Sequence, residues 1–76
     1  MDLRRQLADV LRRMRHEAGL TQRDMARQLR ISQAALARLE NADLNTTLDT
    51  LTRLCRALHC DIGELFSGKV RLRSGR

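Results

Sequence analysis

Two groups of residues in this chain are of types that could do chemistry. In the first, Gln33 and Arg38 stand on either side of Ala34 and Ala37, while Ala35, Leu36 and Leu39 form an apolar stripe through the same stretch. Coiled as a helix, this stretch presents Gln33, Ala34, Ala37 and Arg38 away from the stripe. A glutamine amide can make paired hydrogen bonds to adenine N6 and N7, and an arginine guanidinium can do the same to guanine O6 and N7. The two alanines let such a helix lie close to a base edge and touch a thymine methyl. Each paired contact is worth about 1–3 kcal/mol of base discrimination.

The second group is Cys55, His59 and Cys60. A structural zinc site needs four ligands, and the other histidine, His16, is far away in sequence, so no metal or other cofactor is expected. Cys55 falls on an apolar helical stripe and reads as a small buried hydrophobe, whereas Cys60 reads as exposed. No Ser, Cys or His lies near a plausible base within a recognisable arrangement, so no enzyme is expected.

The elements that position these residues are helical. The chain has no proline, four glycines and one aromatic residue. Leu3, Leu7, Val10, Leu11 and Met14 recur at helical steps, and Gly19 follows as a stop, which predicts helix one over residues 2–17. Thr21 is the N-cap of a second helix with Met25, Ala26 and Leu29 inward, and Ser32 caps a third. Only Arg30 and Ile31 lie between these two, so they must cross sharply in a helix-turn-helix. After a polar link at 42–45, Thr46 or Thr47 caps a fourth helix facing inward through Leu48, Leu51, Leu54, Cys55 and Leu58. Asp61 and Glu64 open a short fifth helix with Leu65 and Phe66 inward, ended by Gly68. Residues 69–76 read as a basic tail, either a short strand or disordered, outside a domain at 1–68.

At 76 residues the chain is one domain at most, and its formal net charge of +6 points to a polyanionic partner, nucleic acid before an anionic membrane. Fourteen of the 15 bases are arginine, the residue suited to bidentate phosphate and guanine contacts. The charge is uneven: residues 1–39 carry +5, residues 40–66 carry −3 and residues 67–76 carry +4. The near absence of aromatics argues against base stacking on single strands or RNA. No apolar run approaches the roughly 18 residues of a membrane span, and no leader is evident, so a cytoplasmic protein with reduced cysteines is expected, nucleoid-associated when bound.

The stretch from Leu20 to Asn41, with Gln22, Ala26, Ser32, Gln33 and Leu36 in register, resembles the helix-turn-helix of the phage-repressor and Cro-like (XRE-type) family. The likeness continues through Leu48, Leu51, Ala57, Leu58, Leu65 and Phe66, about residues 3–66. It implies an all-α, five-helix lambda-repressor-like domain that binds double-stranded operator DNA as a homodimer, helix three lying in the major groove. It also implies a phosphate-clamping role for Gln22 and an ion pair between Arg15 and Glu40. Arg23 and Asn41 are further phosphate candidates. Arg30 stands where the turn usually has glycine, at a cost on the order of 1 kcal/mol if it is left-handed, and offers a basic side chain to the DNA backbone. Ala42 likewise replaces a common glycine.

The expected function is that of a transcriptional regulator on a near-palindromic operator, with Ile62, Leu65 and Phe66 as the dimer surface. The alternatives are the antitoxin of a toxin–antitoxin pair, with a toxin protein as partner and the segment Leu44 to Leu48 compatible with that role, or a restriction-modification controller. A membrane-surface bundle is disfavoured, because the apolar stripes are needed for a core.

Overall fold

The computed structural model describes residues 2–43 and 46–75. Five helices follow one another: α1 (Leu3–Ala18), α2 (Gln22–Leu29), α3 (Gln33–Glu40), α4 (Leu48–Leu58) and α5 (Ile62–Ser67). Each starts at a residue whose side chain accepts a first-turn N–H. Asp2 accepts from Arg4, Thr21 from Asp24, Ser32 from Ala35, Thr47 from Thr50 and Asp61 from Glu64. Such caps stabilise a helix by about 1 kcal/mol each. Thr47, and not Thr46, is the cap of α4. Leu44 and Asn45, in the segment singled out for an antitoxin role, lie outside the described residues, as does Arg76.

The helices also end alike. Gly19, Arg30, Ala42 and His59 are left-handed, with φ of 68°, 59°, 54° and 54°. In each case the next residue's N–H reaches back to the last turn: Leu20 to Arg15 O, Ile31 to Ala26 O, Asp43 to Arg38 O and Cys60 to Cys55 O. This 6→1 bond satisfies a terminal carbonyl and turns the chain sharply. The glycine substitutes at Arg30 and Ala42 thus both adopt the strained conformation, and His59 does so as well.

Leu7, Leu11, Met25, Leu29, Leu36, Leu54 and Leu65 are fully buried and form one core. Around it α1 packs on α3 and α5, α2 on α3 and α4, and α4 on α5. Two expectations are corrected here. Leu48, assigned to the inward face of α4, is 82% exposed at the helix start. Residues 69–75 form neither a strand nor a loose tail. They lie against the body, with Val70 and Leu72 against the core, Arg71 paired with Glu17, and Gly75 N–H donating to Ala18 O at 3.0 Å. The Gln28 amide holds the backbone of Arg73 at both groups, donating to its carbonyl (2.9 Å) and accepting from its N–H (3.1 Å).

Relief of left-handed strain should be measurable where the side chain does nothing else. Ala42→Gly is expected to stabilise the fold by about 1 kcal/mol, a Tm increase of roughly 4–8 °C by calorimetry; an unchanged or lower Tm would show that the strain at this position is negligible.

Candidate nucleic-acid interface

The polar face of α3 follows from its period. At about 100° per residue, Gln33, Ala34, Ala37, Arg38 and Asn41 fall within about 140° of arc, with Leu36 and Leu39 on the other side. Gln33, Ala34, Arg38 and Asn41 are exposed and Ala37 is half-buried, while Leu36 and Leu39 are in the core. The face is therefore a shallow strip with two long hydrogen-bonding side chains and small residues between them, free of acidic groups.

What holds this strip in place is a buried carboxylate. Glu40, at the end of α3, is 2% exposed. Arg15 from α1 approaches it side-on, Nε to Oε2 at 2.9 Å and Nη2 to Oε1 at 3.0 Å. The Gln22 amide, from the first residue of α2, donates to Oε1 at 3.3 Å. Arg15 Nη1 also reaches Leu20 O at 3.4 Å, in the loop joining α1 to α2. One carboxylate thus ties together α1, the start of α2 and the end of α3. Among the described residues no buried side-chain nitrogen or oxygen is left without a partner.

The four residues expected to meet phosphates do not form one patch. Gln22 and Arg23 share the start of α2, where the N–H groups of the first turn have no helical acceptor and the helix end is partly positive. Asn41 is exposed at the far end of α3. Arg30 lies at the other end of α2, about 12 Å along its axis from Gln22, and there it shares a cleft with Arg53, Arg56 and His59. Sequence reasoning placed Arg53 and Arg56 in an acidic segment and missed this company, which depends on the crossing of α2 and α4.

On the other side of α4, an open groove of about 860 Å³ runs between α4 and α5, lined by Leu48, Leu51, Cys55, Cys60 and Ile62 among others. Ile62 is 46% exposed. Leu65, grouped with it as a dimer contact, is completely buried within its own chain and is withdrawn from that surface; Phe66 is half-buried against the core. Both cysteines pack against the core. Cys60 is half-buried and not exposed, and burial, with Cys55 beside it, pushes its thiol up to about 11. It stays protonated at neutral pH, which leaves it a poor nucleophile and metal ligand. Among the described residues no three His, Cys, Asp or Glu side chains come together as metal ligands, and no helix is long and apolar enough to cross a membrane.

Comparison with known proteins places this geometry. The family described as a helix-turn-helix domain matches residues 6–66. Antitoxin HipB of Escherichia coli (strain K12) is 36% identical over 53 residues, 70% of this chain. The chain spans 60% of the length of that curated relative. Two crystal structures of the clp gene regulator ClgR from Corynebacterium glutamicum are similar in fold, with TM-scores of 0.70 and 0.69 at 28% identity. Each covers 90% of this chain, and the likeness takes in 87% and 72% of the respective ClgR chains.

The buried pair makes a sharp stability prediction. Arg15→Ala strands the Glu40 carboxylate and is expected to cost about 3–5 kcal/mol in denaturant unfolding, whereas Arg15→Met with Glu40→Leu should recover most of that loss. A single mutant within 1 kcal/mol of the parent would show that the pair does not hold α3.

Proposed function

The chain belongs to the helix-turn-helix domain family, and from that premise we propose that it is a sequence-specific double-stranded-DNA-binding transcriptional regulator. The observation that carries this reading is α3: a glutamine and an arginine projecting from a face of small residues, on a helix locked by a fully paired buried carboxylate. Its likeness to a gene regulator of known structure supports the same reading. In this scheme Gln33 and Arg38 contact bases and Ala34 and Ala37 allow close approach, while Gln22, Arg23 and Asn41 engage phosphates beside them. The role is one of binding, not catalysis, exercised in the cytoplasm.

The regulator acts as a homodimer, with recognition helices about 34 Å apart on a near-palindromic site. The α4–α5 groove is the surface we assign to the second copy. It exposes Leu48 and Ile62, and it carries Arg56 and His59 together with Asp61 and Glu64. A two-fold interface brings each residue of one copy against the complementary residue of the other, so a surface holding both charge signs around an apolar centre complements itself.

A second reading has one observation in its favour: HipB, a relative, is an antitoxin. Such a protein would bind its own operator through α3 and a toxin through another surface. Co-purification of a second chain would establish this role; no such observation favours a restriction-modification controller.

Roles within the interface are separable by mutation. Gln33→Ala should lower discrimination between the preferred and altered site by about 1–3 kcal/mol in a binding titration, whereas loss of the exposed Arg23, in Arg23→Ala, should weaken all duplexes alike. The reverse pattern would refute the assignment. Ile62→Glu is expected to give a folded monomer by sedimentation with weakened operator binding. A variant that remains dimeric would remove the α4–α5 groove from the interface.

A further inference from the structure

The C-terminal residues complete a basic basin at the end of α2, beside the start of α3. Arg27 and Arg30 from the end of α2, Arg53 and Arg56 from α4 with His59 just after it, and Arg71 and Arg73 from the docked C-terminal segment line two adjoining clefts that meet at Arg30, His59 and Ala57. No acidic residue lines either cleft, and a third that shares Arg30 and Arg53 and reaches Ser32 has none either. Arg71 pairs with Glu17. Arg27, Arg30, Arg53 and Arg73 have no ion-pair partner among the described residues.

Local structure accounts for part of this charge. The C-terminal ends of α2 and α4 both point into the basin, and each helix end acts as roughly half a negative charge, so the two together with Glu17 still leave an excess of about four positive charges. The excess is built rather than diffuse, because the chain after α5 is pinned. Gln28 clamps Arg73 at its N–H and its carbonyl. Gly75 passes so close to the α1–α2 loop that a Cβ there would lie 2.7 Å from Leu20 Cδ2 and 3.0 Å from Gly19 O. Arginine also suits phosphate geometry, offering a planar fork where lysine offers a point charge.

We infer that this basin is a second, sequence-independent nucleic-acid contact that takes phosphates of DNA outside the half-site read by α3. It rests on the reading of the protein as a DNA-binding regulator. Its phosphates come from flanks of the bound duplex or from a second duplex, and the test separates the two.

The test uses the full chain, with Arg53→Ala/Arg73→Ala and Arg53→Lys/Arg73→Lys, on a duplex covering only the preferred site and on one extended at both ends, each also in scrambled sequence. Affinity is titrated by anisotropy over a range of salt. The alanine pair is expected to bind more weakly and to lower the slope of log affinity against log salt by about two, roughly 0.9 per phosphate released, with the ratio of preferred to scrambled binding unchanged. The lysine pair should keep most of the slope, which separates lost charge from a damaged fold. A drop confined to the extended duplex assigns the phosphates to its flanks, and two duplexes per complex by light scattering assign them to a second duplex. An unchanged slope and affinity in the alanine pair overturns the inference and leaves an acidic protein as the basin's partner. Failure of the regulator reading looks different: the parent chain would then bind preferred and scrambled duplexes alike, whatever the slopes.

Discussion

A carboxylate that is almost entirely removed from water would be ionised only at a cost of several kcal/mol unless its lone pairs were met. Glu40 is met by two guanidinium N–H groups of Arg15 and one amide N–H of Gln22. That arrangement explains more than its own stability. The three partners come from α1, the start of α2 and the end of α3, so the angle and axial rotation of α3 are set by hydrogen bonds of defined direction, where apolar packing alone would allow repacking. A rotation of α3 by one residue, about 100°, would carry Glu40 out of reach of Arg15 and move Gln33 and Arg38 off their shared face. The pair that gives α3 its orientation thus also sets which side chains it shows.

The remaining geometry serves short connections. Only Arg30, Ile31 and Ser32 join α2 to α3, and so short a link turns sharply through a left-handed backbone, which Arg30 adopts at its own cost. The same device ends α3 at Ala42 and α4 at His59. At Arg30 the strain coincides with charge: the left-handed residue joins α4 and the pinned C-terminus in a basin with no acidic lining. The tight turn at Arg30 therefore sets the start of α3 beside the basic basin at the end of α2, while the far end of α3 returns to the start of α2 through Glu40 and Gln22.

Local signals were legible in the sequence. Thr21, Ser32 and Asp61 are caps because their oxygens act within three residues, and the apolar stripes of α1 to α3 follow from period, except that Leu3, at the start of α1, is exposed. Signals that depend on distant partners were not. Gln28 and Arg73 are 45 residues apart, and nothing in the basic tail says that its backbone is held or that Gly75 is needed for close approach. In the six-residue α5 the sequence placed Leu65 inward and yet also on the dimer surface; the helix is too short to offer two apolar faces, and Leu65 lies in the core while Ile62 stays exposed. Charge counted by segment also misled. Residues 40–66 are acidic in sum, yet Arg53 and Arg56 share a cleft with Arg30, because a helix distributes consecutive charges over opposite sides.

The central claim is that α3, held by Glu40, reads base edges in two copies related by a two-fold axis. Selection of bound sites from a pool of random duplexes tests it most directly. The expected result is an enriched inverted repeat with half-site centres about one helical turn, 10–10.5 bp, apart. Enrichment of no sequence, or of a single unrepeated one, would contradict it.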